Sequence, residues 1–373
     1  MSTDNNTYQP KNPTSKQKAA KPSKPVKTSK AARIEKAPDA EKKKGNIFIR
    51  FLKYFIPWAG DKVGEIIRKI LMFLFIAAFI FGSVLVVQYV KTTYETIDET
   101  NKLVILQNEP PTPEELAALP PGYLPEFAKY YAINPNVVGF LSIPDTNINH
   151  TVAQANNNDF YLDHNFKKNY NVNGWPFADY NNRILQGDLN DNTIIYGHNI
   201  RSSNLMFQNL INFKKLDYYK ARPVIEFDTV YEKGKWKIFG VFISNANSDQ
   251  GPIFDYHKFF DADNDAHFLR YVREVERRSI IKTNVDVVPG DKLLTLSTCT
   301  YEIDDGRLCV VARRVRPGED ASVDVSGASL NPNPLYPNAW YWKNGGTKPT
   351  YNDKIPWGSG RGGSVHGDLN YAD

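Results

Sequence analysis

Residues 293–315 read LLTLSTCTYEIDDGRLCVVARRV, two strand-like runs joined by the polar turn TYEIDDG. In the first run Leu294 and Leu296 alternate with Thr295, Ser297 and Cys299, the two-residue period of a strand with one face buried. Folding the second run back antiparallel across the turn places Cys299 near Arg307 and leaves Cys309 nearer Ser297. Cys299 thus stands at a strand end on the polar face, an odd position for a core cysteine. Three roles are open to it: a small buried hydrophobe, half of a disulfide, or a nucleophile. Cys309, inside the apolar run LCVVA, reads as buried and inert. Two cysteines ten positions apart and out of register do not make a disulfide scaffold, so a hydrophobic core must hold the fold.

Outward from this hairpin, five more runs bounded by Gly, Pro, Asn and Asp read as strands: VVGFLSI, INHTVA, NTIIYGH, RPVIEFDTVY and KWKIFGVFIS. Between the last of these and the cysteine strand, residues 261–279 (DADNDAHFLRYVREVERRS) set Phe268, Tyr271, Val272 and Val275 at helical spacing. Seven strands with one inserted helix predict a mainly β fold, a closed or nearly closed barrel with helical embellishment. Ahead of the strands, residues 112–134 (TPEELAALPPGYLPEFAKYYAIN) offer Thr112 as a helix cap, Pro113 in the first turn, a Pro-Pro break and a second short helix. Past Arg316 periodicity ends in a stretch rich in Gly, Pro and Asn with three tryptophans, which reads as an irregular tail.

The amino-terminal end is of another kind. Residues 1–69 hold 17 lysines and arginines against 6 acidic residues, with few large apolar side chains before residue 46, the signature of a disordered basic arm. Residues 70–90 (ILMFLFIAAFIFGSVLVVQYV) are 21 positions without a charge, enough to cross a hydrocarbon core as a helix. The run is too long and starts too late for a cleaved leader. Because the remainder, residues 70–373, carries 29 basic and 35 acidic residues, the positive-inside rule keeps the amino terminus cytoplasmic and residues 91–373 outside. Cations and aromatics mix in residues 47–58, so the arm can also lie on anionic lipid; nothing else in the chain supports nucleic-acid binding. The expected organisation is an arm with a juxtamembrane segment over 1–69, a membrane helix over 70–90, a linker and helical lead-in over 91–136, a barrel over 137–316 and a tail over 317–373.

Arginine opposite a thiol favours the thiolate and can stabilise an oxyanion on an acyl substrate, whereas its bland role is a salt bridge to Asp304 or Asp305. Of the six histidines, His150, His164, His257, His267 and His366 sit in polar, turn-like or tail settings. His198 ends the strand NTIIYGH, from where an imidazole can reach another strand end of a small barrel. No acidic third member declares itself, and no Cys or His pair has metal-ligand spacing, so no cofactor or metal is expected.

TLSTC (residues 295–299), the arginine eight positions on in DGRLCVVAR, and YGH (residues 196–198) about a hundred positions upstream together resemble the sortases, cysteine transpeptidases of Gram-positive cell surfaces. The likeness spans residues 137–315. The helical lead-in, NNNDFYLDHNF (residues 156–166) and the helix-bearing insertion before VDVVPGDKLLTLSTC are similar to class B. Polymerising class C members commonly carry a lid and a second membrane helix, and no such apolar run follows Val90. The tail after Arg316 departs from the usual class B ending.

The resemblance implies a closed sortase-type barrel whose helix is inserted between its sixth and seventh strands. It implies that Cys299 attacks the threonine carbonyl of a carboxy-terminal sorting signal and that an amine of a cell-wall precursor then takes the acyl group. His198 would exchange protons with the departing and incoming amines, and Arg307 would hold the oxyanion or substrate backbone. Asn158, Leu162, Tyr196 and Ser297 match positions lining the substrate groove of that class. The implied partners are surface proteins bearing the signal, the wall precursor and membrane lipid. Two other classes stand beside this one: a surface cysteine protease that releases the acyl group to water, and an idle wall-binding scaffold motivated by the tail tryptophans.

Overall fold

Eight strands close into a barrel in the computed structural model, which describes residues 47–351. They are β1 (Val137–Ser142), β2 (Asn149–Ala153), β3 (Phe177–Ala178), β4 (Asn192–Tyr196), β5 (Val224–Thr229), β6 (Lys235–Ser244), β7 (Leu293–Thr300) and β8 (Gly306–Arg314). Around the barrel they run β1, β2, β3, β4, β7, β8, β6, β5, and β5 returns to β1. The pairs β2–β3 and β4–β7 are parallel, and the other neighbours are antiparallel. Sequence periodicity predicts seven of these strands. The eighth, β3, pairs Phe177 with Ala153 and Tyr196 and is two residues long, too short to show a period.

Alternate residues of the strands, among them Leu141, Ile195, Ile225, Leu296 and Val310, meet in one buried cluster inside the barrel. The outer face of β6, β7 and β8 is covered as well. Phe242, Leu293, Cys309 and Val311 pack there against Phe268, Tyr271, Val272 and Val275 of the inserted helix Asp265–Arg278, which lies between the sixth and seventh barrel strands. The four residues at helical spacing thus form the stripe that docks the helix. Gly240 permits the close approach, since a β-carbon there would stand 2.5 Å from Val275 Cγ1. This cover changes the reading of β7, which the alternation predicts to be half-buried and which is buried on both faces up to Thr298. Its polar side chains find partners there: Thr295 Oγ1 donates to Asn192 Oδ1 at 2.8 Å, and Ser297 shares a hydrogen bond with Tyr256 Oη at 2.7 Å.

The described residues form two compact units that divide between Ala77 and Ala78. In the first, the juxtamembrane residues expected to belong to a disordered arm form a helix, Ile47–Phe55, that buries none of its side chains in protein. Its apolar face leaves Ile47, Phe48 and Phe51 exposed, the pattern of a helix lying on a membrane surface. The uncharged run lies within the helix Val63–Leu106 and forms the single-pass membrane anchor. Residues 1–46 and 352–373, with Trp357 and His366, lie outside the described residues.

In the second unit the lead-in starts as its cap predicts. Thr112 Oγ1 accepts from Glu115 N at 3.2 Å and Glu115 Oε2 accepts from Thr112 N at 2.7 Å, a reciprocal box that opens the helix Pro113–Ala118. The stretch after Arg316, expected to be irregular, is bound to the barrel. Ser329–Leu330 pairs with Ile281–Lys282, and the short helix Asn338–Asn344 brings Trp340 into a stack with Tyr336 at 4.1 Å between ring centroids. Tyr336, Ala339 and Trp340 pack on the barrel's core cluster, a tertiary contact that leaves no local period in the sequence.

Glu319 ties this stretch to the buried Arg313, which is 1% exposed. The Glu319 carboxylate accepts from Arg313 Nη2 at 2.8 Å, from Lys237 Nζ at 2.7 Å and from Arg316 N at 2.9 Å. The Arg313 hydrogen bond holds its pKa well below the ordinary carboxylate range, with Lys237 and the Arg316 amide adding to it. A depressed folded-state value gives stability that is present above the unfolded carboxyl pKa and is lost as pH falls toward the folded one. Glu319→Gln is therefore expected to lower stability at pH 7 by about 2 kcal/mol. It should also flatten the decline below pH 4.5, as read by chemical unfolding over pH 7 to 2.

Candidate active site

Two strands that run the same way deliver the candidate nucleophile and the candidate base to one rim of the barrel. In the parallel pair β4–β7, Tyr196 stands opposite Ser297, so His198 and Cys299 each follow two residues later. The chain holds this register beyond the strands. Gly197 N donates to Ser297 O at 3.1 Å, Thr298 Oγ1 donates to Gly197 O at 2.6 Å, and Asn199 Nδ2 donates to Cys299 O at 2.8 Å. His198 is thereby flanked on both sides by bonds to the strand that carries Cys299.

Arg307 comes from the antiparallel neighbour, where β8 pairs it directly with Cys299, and Cys309 with Ser297. That is the register read from the turn, and both cysteines are free thiols. The expected bland partner of Arg307, a carboxylate of Asp304 or Asp305, is replaced by backbone. Arg307 Nη1 donates to Asp305 O at 2.8 Å and to Gly306 O at 3.2 Å, while the Asp305 carboxylate accepts from Asn247 Nδ2 at 3.0 Å. The tethered guanidinium lines the same groove as the cysteine.

His198 Nε2 lies 2.7 Å from Leu162 O. A carbonyl can only accept, so this contact places a proton on Nε2. The ring also rests close to Gly174, whose backbone is left-handed at φ +58°. A β-carbon at Gly174 would fall 2.5 Å from Tyr161 O and 2.9 Å from His198 Cδ2, so the absence of a side chain makes the seat for the imidazole.

These groups open into a groove of about 290 Å³. All seven residues singled out from the sequence line it: His198, Cys299, Arg307, Asn158, Leu162, Tyr196 and Ser297. The last four are not equally free to meet a ligand. Leu162 is 41% exposed, whereas the Ser297 side chain is buried and engaged with Tyr256. Asn158 Nδ2 and Tyr196 Oη both donate to Asp179 Oδ2 at 2.9 Å, and Asn158 Oδ1 accepts from Tyr180 N at 3.0 Å. Burial, with the Asp179 charge beside it, pushes the Tyr196 phenol above its ordinary range.

Sequence reasoning does not find Asp179, 2% exposed, because FADYNN has no motif to announce a buried acid. It also misses Trp175, Phe177 and Gly174, which lie in the long connection between β2 and β4. The pair Asn173-Gly174 signals a turn but not that the imidazole of His198 rests on it, and Phe177 belongs to the strand too short to read. His150 lies behind this wall, its ring 5.6 Å from Trp175, and burial lowers its pKa to about 4.

Comparison with known proteins gives a consistent result. The family model for the sortase domain matches residues 141–315. The chain is 31% identical to sortase B of Staphylococcus aureus over 194 residues, 52% of this chain and 75% of that protein. It is 31% identical to sortase B of Listeria monocytogenes over 185 residues, 49% of this chain and 71% of that protein. Among solved structures, a Staphylococcus aureus sortase B–substrate complex aligns at TM-score 0.50 with 28% identity, covering 60% of this chain and 95% of that one.

The environments of the two thiols predict different reactivity. Burial pushes Cys309 up to about 12, and its side chain is fully enclosed, whereas Cys299 is half-buried on the groove. Iodoacetamide at pH 8 is expected to add one equivalent, at Cys299, to the native protein and a second, at Cys309, after unfolding, as counted by peptide mass spectrometry. Gly174→Ala is expected to lose about 2 kcal/mol of stability in chemical unfolding from its φ and close contacts. The displaced His198 ring should show as a shift in its imidazole resonances.

Proposed function

The chain belongs to the sortase family, class B type, and on that premise we propose that His198, Cys299 and Arg307 carry out its reaction. The protein is a membrane-anchored cysteine transpeptidase of the kind that anchors surface proteins. The observation that carries the site proposal is their meeting at one rim. Parallel pairing brings His198 to the end of the cysteine strand, cross-strand pairing sets Arg307 beside Cys299, and all three line one groove.

In the proposed cycle Cys299 Sγ attacks the carbonyl carbon of the threonine in a carboxy-terminal sorting signal. The S–C bond forms, the scissile C–N bond breaks, and the departing amine takes a proton supplied through His198. Arg307 offers the N–H groups not tied to the Asp305 and Gly306 carbonyls to the developing oxyanion or to the substrate backbone. An amine of a cell-wall precursor then attacks the thioacyl carbon, a new amide bond forms as the S–C bond breaks, and the proton the amine loses to His198 passes on to the Cys299 sulfur. The groove beside Leu162 and Tyr196 would receive the signal peptide, with Asn158 and Tyr196 held by Asp179 as part of its wall.

The full chain in detergent micelles, incubated with sorting-type pentapeptides and a glycine-based amine, tests this by mass spectrometry. Amine-exchanged peptide and a thioacyl adduct are expected with the wild-type chain and absent with Cys299→Ala. His198→Ala and Arg307→Ala are each expected to lose about 100-fold or more in kcat/KM. Hydrolysed peptide alone would favour a protease that passes the acyl group to water, and no adduct with any peptide would favour the wall-binding scaffold.

A further inference from the structure

The segment between Cys299 and Arg307, residues 300–306, is bonded from outside the barrel. Ile303 is buried in the core cluster, against which Tyr336, Ala339 and Trp340 also pack. Glu302 O accepts from Lys343 Nζ at 2.7 Å, and the Glu302 carboxylate pairs with Lys214. Asp304 O accepts from Gln250 Nε2 at 2.7 Å, and the Asp305 carboxylate accepts from Asn247 Nδ2. The segment that supplies Gln250 and Asn247 is itself wedged by the helix Asn338–Asn344. The Asn338 side chain presses against Gly251, where a β-carbon would meet it at 2.8 Å. Burial pushes the Tyr336 phenol up to about 12, and the neighbouring Glu302 charge adds to the push.

The far end of this grip is the arginine, since Asp305 O is the acceptor that holds Arg307 Nη1. The family match ends at residue 315, so the contacts from Tyr336, Asn338 and Lys343 come from a part of the chain beyond the matched domain.

We infer that residues 335–344, after the barrel, are a positioning clamp for the Cys299–Arg307 hairpin: by holding the loop directly at Glu302, and by backing at Gly251 the neighbouring segment whose Asn247 and Gln250 bond the loop, they set where the Arg307 guanidinium points into the groove. The inference rests on the proposed role of Arg307 at that site. Lys343 and Asn338 touch no part of the groove and act through the loop. A turn of five residues, 301–305, between two strand ends samples many conformations unless its backbone groups are bound, and an arginine displaced by even 1 Å loses its aim at a reacting carbonyl.

The test uses the full chain in detergent micelles with Lys343→Met, Asn338→Ala, the conservative Lys343→Arg, and Lys343→Met combined with Arg307→Lys. Amide hydrogen exchange of peptides covering residues 300–306 reads the clamp without needing turnover. Lys343→Met and Asn338→Ala are expected to speed exchange there and leave the rest of β7 as in wild type. They should lower kcat about tenfold with KM within twofold, and Lys343→Arg should restore both readouts. In the Arg307→Lys background the further loss from Lys343→Met should be less than twofold, because the clamp acts through the residue already changed. Wild-type exchange in residues 300–306 of both clamp variants would overturn the inference, as would the same tenfold loss in the Arg307→Lys background. A wild-type chain without amine exchange would count against the proposed reaction instead, and the exchange data would still decide whether the clamp exists.

Discussion

Parallel pairing of Asn192–Tyr196 with Leu293–Thr300 is the constraint from which the rest of the site follows. An antiparallel hairpin can place a cysteine opposite an arginine by local folding alone, as β7 and β8 do. His198, a hundred residues earlier, follows the end of its strand, and it reaches the same rim because that strand runs in the same direction as the cysteine strand. Such a pair needs a long crossover, and here it contains β5, β6 and the helix Asp265–Arg278. The crossover helix then covers the outer face of the strands it connects. This is why β7 is buried on both sides although it alternates as if one side met water.

The rim combines groups of different rigidity. Strand ladders hold Cys299 and the backbone of His198, and direct bonds across Gly197, Thr298 and Asn199 lock the register where the strands end. The His198 ring is aimed by a backbone carbonyl and a glycine where other triads use an acidic side chain. Asp179 is buried and accepts from Asn158 and Tyr196, so it fixes two side chains that line the groove. Arg307 depends on a loop, and loops need outside support to point a side chain reproducibly. The contacts of residues 335–344 give the stretch after the barrel a place in that support, and they account for Trp340 in a segment whose composition suggests an irregular tail.

Features written in local periods were legible from the chain. The two-residue alternation around Cys299 and the length of its turn gave the register with Arg307. The spacing of Phe268, Tyr271, Val272 and Val275 gave the docking face of one helix, and Thr112 with Pro113 gave the start of another, Pro113–Ala118. All seven singled-out residues line one groove, although Asn158 and Ser297 are occupied by protein partners that the sequence does not announce. The two-residue β3, Gly174 and Asp179 were illegible because each matters through contacts with residues distant in sequence.

The sequence by itself determined the elements and the chemistry available to them: an anchor, a barrel with one inserted helix, and a thiol, an imidazole and a guanidinium at strand ends. These follow from hydrophobic periodicity, charge and turn residues, which act over a few positions of the chain. Only the tertiary structure decided that one closed barrel brings the three to a single rim, that a glycine and a carbonyl seat the imidazole, and that the stretch after the barrel bonds to the loop between Cys299 and Arg307. Those outcomes rest on contacts between residues tens to hundreds of positions apart, whose strength is set by shape and burial that no local pattern encodes.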